Sequence, residues 1–190
     1  MITPKHPLIL ASGSPRRKEI LDTMGLSYSI DVSDADESFA GSPEEMVLEL
    51  SFRKAQAVAA RHENALILAA DTLVYGREVL GKPKSAEHAV QMLSELSGNW
   101  HSVFTGLTLI DTSAGKILRR AEETRVHFVE MSEGEIEAYV ATGEPLDKAG
   151  AYGIQGQGGM FIDKIEGSYS NVVGLPMSLL RSMLKEINQI

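Results

Sequence analysis

Apolar residues along the chain follow two rhythms, and the changes of rhythm mark element boundaries. Leu8–Ser12 is apolar up to its last residue and predicts a buried strand. From Pro15 to Met24 the period becomes helical, with Ile20, Leu21 and Met24 on one face and Gly25 placed to end the helix. Ser27–Ser33 alternates, with Tyr28, Ile30 and Val32 on one side, and predicts a second strand. Asp34-Ala35-Asp36-Glu37-Ser38 is a polar loop carrying three carboxylates. Ser42-Pro43-Glu44-Glu45 then forms a capping box. It opens a helix that ends near Ala60–His62 and turns Val47, Leu50, Ala57 and Val58 inward, with Lys54 along its length.

The strongest apolar run is Ala65–Tyr75, which predicts a central strand covered on both faces and interrupted only by Asp71. Gly76-Arg77 marks a hairpin tip, and Gly81-Lys82-Pro83 follows it. Ser85 caps a helix bearing Ala89, Met92, Leu93 and Leu96 that stops at Gly98. Val103–Asp111 and Ile117–Glu130 read as a long hairpin turning at residues 112–115. Ser132-Glu133-Gly134-Glu135 is a second capping box, opening a helix to about Thr142. From Glu144 to Gly159 the chain is rich in glycine and nearly free of secondary-structure signals, as functional loops of compact domains are. Met160–Ile165 predicts a strand, Val172–Pro176 a turn, and Met177–Ile187 a closing helix. Strands and helices alternate around a central hairpin, so an α/β fold with a mixed sheet is expected, as one domain over residues 1–190.

The 190 residues suffice for one large domain or for two small lobes sharing a core. A net charge of −8 argues against a general nucleic-acid binder, though not against a basic pocket for a small anion. With no cysteine, disulfides, thiolate zinc sites and cysteine nucleophiles are excluded. No apolar run is long enough to span a membrane and no signal peptide is seen at the start, so a cytoplasmic location is expected.

Candidate chemistry concentrates in four places. In Ser12-Gly13-Ser14-Pro15-Arg16-Arg17 a tight turn enters a helix, with Ser14 as N-cap. Two arginines in a first turn oppose the helix dipole, which costs about 0.3–1 kcal/mol each. Beside exposed N–H groups and the hydroxyls of Ser12 and Ser14 they suit a phosphate; alternatively they pair with nearby carboxylates. Asp71, followed by Thr72, is an ionised group in an apolar strand. It is either a reactive carboxylate or one held by a lysine. Lys54 and Lys82 supply cations, and the segment Asp147–Gln155 supplies Lys148 and an amide. Glu37, in Asp36-Glu37, is a candidate hard-cation ligand, or simply part of an acidic loop. Two familiar motifs fail. Gly76–Lys82 has P-loop spacing, but Pro83 stands where a Ser or Thr would bind magnesium. Gly156-Gln157-Gly158-Gly159 lacks the third glycine and the following helix of a dinucleotide site. The five histidines show no ligand spacing.

Ser12-Gly13-Ser14-Pro15-Arg16-Arg17, Ala70-Asp71-Thr72, Gly81-Lys82-Pro83, the block from Asp147 to Gly156, and Val173-Gly174-Leu175-Pro176 together resemble the Maf family of nucleoside triphosphate pyrophosphatases. The resemblance runs in order over nearly the whole chain. It implies an elongated mixed sheet flanked by helices in two lobes with a cleft, similar to the inosine triphosphate pyrophosphatases. It also implies cleavage of a nucleoside triphosphate to monophosphate and diphosphate, as a house-cleaning of nucleotide pools, with Mg²⁺ or Mn²⁺ as cofactor. The subgroup acting on dTTP and UTP is the most similar. Its proton-accepting aspartate matches Asp71, and its specificity positions match Arg16, Thr72 and Gln155. Further family polar positions fall on Ser12, Arg17, Glu37, Lys54, Lys82 and Lys148. The roles implied are water activation or metal binding by Asp71, metal binding by Glu37, phosphate binding by Arg16, Arg17, Lys54 and Lys82, and base contacts by Thr72 and Gln155. A homodimer is expected from the same resemblance. A regulatory nucleotide-binding protein and the subgroup acting on methylated guanine nucleotides are the competing readings. Asp71 favours an enzyme over the first, and Arg16, Thr72 and Gln155 stand against the second.

Overall fold

The apolar runs become seven strands in the structure, a computed structural model that describes residues 3–187. They are β1 (Leu8–Leu10), β2 (Tyr28–Ile30), β3 (Leu66–Tyr75), β4 (Val79–Leu80), β5 (Trp100–Asp111), β6 (Lys116–Phe128) and β7 (Ile162–Glu166). The helices are α1 (Pro15–Thr23), α2 (Pro43–Ala59), α3 (Ala86–Leu96), α4 (Glu133–Ala141), α5 (Tyr169–Val173) and α6 (Met177–Glu186). The sheet order is β2-β1-β3-β5-β6-β7, with β4 paired to β3. β1 is parallel to both β2 and β3, whereas β3–β4 and β6–β7 are antiparallel, so the sheet is mixed as expected.

The chain forms two compact units. Among the described residues, the first holds 3–71, 105–122 and 174–187, and the second holds 72–104 and 123–173. In the first unit, alternation along β3 puts Ala65, Ile67 and Ala69 on the face covered by Ala55 and Val58 of α2. The helix presses hard on β5: a Cβ added to Gly106 would stand 2.2 Å from the Val47 carbonyl oxygen. Two residues along the same strand, Thr108 meets Ser51 of α2 through buried hydroxyls 2.9 Å apart. In the second unit Met92, Leu93 and Leu96 of α3 pack with Val126 and Phe128 of β6, Ile136 and Val140 of α4, and Tyr152.

Both capping boxes form: Ser42 and Glu45 bond reciprocally, as do Ser132 and Glu135. Gly25, at φ 67, ends α1 as expected. Several expectations are corrected. Ser14 occupies the N-cap position of α1, but its side chain makes no capping bond. β2 spans only three paired residues, and Ile30 and Val32 are exposed because the strand lies at the sheet edge. Ala55 takes the fully buried place expected of Ala57, two residues away along the helix. The glycine-rich segment is ordered by short 3₁₀ turns at Glu144–Asp147, Ala149–Ala151 and Gln157–Phe161. The turn expected from Val172 is preceded by a short helix, α5, that reaches Val173.

Candidate active site

In the first unit the site grows from the end of β1. The chain leaves the strand at Ala11 and turns, so that Ser12, almost wholly buried, accepts hydrogen bonds on Oγ from the Ser14 amide (3.2 Å) and from Arg17 Nη1 (3.1 Å). Arg17 Nε donates to the Gly174 carbonyl at 3.0 Å, which fixes the guanidinium plane. Burial pushes the Arg17 pKa down from its ordinary value; the Asp71 carboxylate opposes this, Arg16 adds to it, and Glu37 opposes it in turn. Arg16 is half-buried in the first turn of α1.

Asp71 projects from the β3 face that α2 covers, and Lys54 of α2 meets it there. Lys54 Nζ lies 2.7 Å from Asp71 Oδ1 and 2.7 Å from Glu37 Oε1. The Lys54 and Asp71 side chains are each 14% exposed and Glu37 is 67% exposed, so a shielded pair is joined by a solvent-facing carboxylate. The acidic loop that carries Glu37 is tied down by Arg53. Its Nη1 donates to the Ser38 carbonyl at 3.0 Å, its guanidinium lies over the Phe39 ring, and Glu49 holds its Nε at 2.8 Å. Sequence reading did not single out Arg53; the sole trace of its role is its place beside Lys54.

A divalent cation fits these donors. Glu37 and Asp71 are hard oxygen ligands that already converge on one cationic group, the Lys54 ammonium. Among the described residues there is no group of three or more His, Asp or Glu side chains suited to holding a metal. Two protein carboxylates are the usual protein share of a magnesium site, with substrate phosphates and water completing it.

The remaining candidates lie in the second unit. Thr72 is half-buried and Lys82 is exposed. The Gly150 amide donates to the Gly81 carbonyl at 3.2 Å, so the segment before Lys82 is bonded to the glycine-rich loop. Lys148 is engaged locally: its Nζ lies 2.7 Å from Asp147 Oδ1 and donates to the Glu144 carbonyl at 2.7 Å. Gln155 is exposed at the crest of the loop.

What holds that crest is Glu144, which sequence reading passed over. Its carboxylate accepts from Tyr139 Oη (2.7 Å), the Gln157 amide (2.9 Å) and the Gly158 amide (3.1 Å). Tyr139 Oη in turn accepts from the Gly153 amide at 3.2 Å. Burial raises the Glu144 pKa, but these hydrogen bonds and the Lys148 charge outweigh it and leave the carboxyl below its ordinary value. Burial, and then the bond to Glu144, push the Tyr139 phenol upward, so it stays protonated and donates. The signal available in the sequence was the glycine spacing. A Cβ at Gly156 would lie 2.4 Å from Glu144 Oε2, and one at Gly158 would lie 2.4 Å from Tyr139 Oη.

The structure thus combines a mixed α/β sheet, two arginines at the start of α1 and a Lys-Asp-Glu cluster beside the central strand. In fold the chain is similar to a HAM1 protein from Coxiella burnetii, with a TM-score of 0.55 and 15% identity, covering 98% of this chain and 100% of that one. The chain belongs to the Maf-like protein family, whose profile matches residues 7–187. It is 48% identical over 183 residues to the dTTP/UTP pyrophosphatase of Bacillus cytotoxicus, covering 95% of each chain. It is also 48% identical to the protein of that name from Desulforamulus reducens, over 95% of this chain and 96% of that one. The Bacillus cereus protein of the same name is 47% identical over 95% of each.

Proposed function

We propose that this protein hydrolyses dTTP and UTP at the α–β phosphoanhydride, giving the nucleoside monophosphate and diphosphate. The observation that carries the reading is the convergence of Lys54, Asp71 and Glu37 in the unit that also orients Arg17 on Ser12. Nearly full-length similarity to proteins named for this activity supports it. Water adds in line to phosphorus, the bridging P–O bond breaks, and diphosphate leaves. Asp71 accepts the water proton, and Lys54 holds the carboxylate in place by their hydrogen bond. Arg17 and Arg16 neutralise the charge that builds on the phosphate oxygens, and Lys82 adds to this. Mg²⁺ or Mn²⁺ held by Glu37 and Asp71 would polarise a phosphate oxygen or lower the pKa of a bound water. Thr72 and Gln155 contact the pyrimidine.

Diphosphate release across a panel of canonical and modified nucleoside triphosphates, with and without Mg²⁺ or Mn²⁺, tests this. Metal-dependent release from dTTP and UTP that disappears in Asp71→Asn, with the melting temperature unchanged, is the expected result. Near-normal turnover by that variant would remove Asp71 from the mechanism. Release from methylated guanine nucleotides alone would overturn the pyrimidine assignment. Tight nucleotide binding without release would favour the regulatory alternative.

A further inference from the structure

An amide such as that of Gln155 carries a donor group, its NH₂, on one side and an acceptor, its carbonyl oxygen, on the other. Turned over, it offers them in reverse order. Uracil and thymine present a carbonyl acceptor at position 4, and cytosine presents an amino donor there. A glutamine on a mobile loop would therefore pair with either base by rotating. A fixed backbone does not stop the amide turning over, but it sets where the amide reaches the base, and so how well each of its two orientations can pair.

The backbone here is fixed from one side by a single carboxylate. Glu144 takes the amides of Gln157 and Gly158 directly and that of Gly153 through the Tyr139 hydroxyl, so the bonds fall on both sides of Gln155 in the chain. The crowding agrees with this. A Cβ at Gly156 would run into the Glu144 carboxylate and one at Gly158 into Tyr139 Oη and the Gly153 carbonyl, while one at Gly153 would only push the Lys148 side chain aside. Tyr139 is itself set in the core of its unit, 5.4 Å from the Phe161 ring between centroids. On the carbonyl side of Glu144, Lys148 Nζ binds the main-chain oxygen and closes the base of the loop.

We propose that Glu144, working with Tyr139, is the positioning residue for base selection: it locks the 153–158 backbone so that the Gln155 amide reaches the base from one fixed position. This rests on the reading of Gln155 as a base contact. Glu144 touches no substrate in this scheme. Its charge matters because a carboxylate accepts from several N–H groups at once, whereas an isosteric amide turns an NH₂ toward one of them.

The test uses the full-length protein in three variants, Glu144→Gln, Tyr139→Phe and Gln155→Ala. Two readouts are taken: kcat/KM for UTP against CTP, and amide hydrogen exchange over residues 150–160. We expect Glu144→Gln to speed exchange across 153–158 and to lower the UTP/CTP ratio by about tenfold, the order of one ordinary hydrogen bond. Gln155→Ala is expected to lower the ratio similarly without speeding exchange at 157 and 158. Tyr139→Phe, which removes one hydroxyl, is expected to act in the same direction through residue 153 and carries the test if Glu144→Gln does not fold. If Glu144→Gln and Tyr139→Phe keep the wild-type ratio while Gln155→Ala loses it, or if exchange is unchanged, the positioning role is overturned and the base contact stands. If Gln155→Ala keeps the ratio, the base contact itself is wrong and the selection role falls with it.

Discussion

Gly106→Ala is the substitution through which core packing and chemistry are most directly joined. A methyl at this position would stand 2.2 Å from the Val47 oxygen, 2.4 Å from the Val47 carbonyl carbon and 2.9 Å from the Leu48 nitrogen. All three atoms are helix backbone, which cannot rotate away. Ordinary contacts of this kind lie near 3.5 Å, so α2 must retreat by about 1 Å. Overpacking of this order costs about 1–3 kcal/mol, which for a chain of this length lowers the melting temperature by roughly 3–10 °C. Lys54 lies about two turns along the same helix, and a rigid shift withdraws its ammonium from Asp71, now 2.7 Å away. Misplacement of a catalytic group by about 1 Å can cost about a hundredfold in rate. Differential scanning fluorimetry and diphosphate release from dTTP should therefore both change, the second far more than the first. Gly134→Ala is the control: its Cβ would meet nothing within 4 Å, and in α4 an alanine should stabilise by about 0.5–1 kcal/mol. A Gly106→Ala protein that melts and turns over like wild type would refute the dependence of the Lys54–Asp71 pair on how α2 seats against β5.

Two further outcomes are expected. His101 is 4% exposed, and burial, with the nearby His127, lowers its pKa to about 4. Unfolded chains bind its proton near pH 6.5, so the stability it contributes is complete above that value and is lost as pH falls toward 4, by up to about 3 kcal/mol. Urea unfolding of wild type and His101→Gln between pH 7 and 4 should show the stability gap narrowing as pH falls; a constant gap would mean that His101 is not buried as the neutral form. Arg53→Met should free the 36–39 loop and raise the Mg²⁺ concentration for half-maximal activity several-fold. It should also weaken Mn²⁺ binding measured by electron paramagnetic resonance; unchanged Mn²⁺ affinity would show that the loop holds Glu37 without Arg53.

What the sequence could disclose was mostly local. The apolar period of β3 and the serine-glutamate pairs at residues 42–45 and 132–135 each depend on neighbours within a few residues, and each formed as read. β2 was overextended because alternation alone cannot tell an edge strand from a covered one, and Val32 is 56% exposed beyond its end. Asp71 was legible as an anomaly in an apolar run, but its partner was not: Lys54 is 17 residues away on another element. Glu144 escaped notice for a different reason. A glycine-rich stretch shows where side chains are missing, and says nothing of which distant carboxylate fills the space they leave.

The Arg17–Gly174 bond joins residues 157 positions apart. At a synthesis rate of about 5–20 residues per second, the arginine leaves the peptidyl-transferase centre roughly 10–30 s before its acceptor is made. The second unit, contained within residues 72–173, has all its chain by then, whereas the first must wait for residues 174–187. Until residue 174 is made, Arg17 lacks the carbonyl that sets its plane. A nascent chain stalled short of residue 174 would therefore hold a fully synthesised second unit beside an Arg17 whose guanidinium still lacks its acceptor.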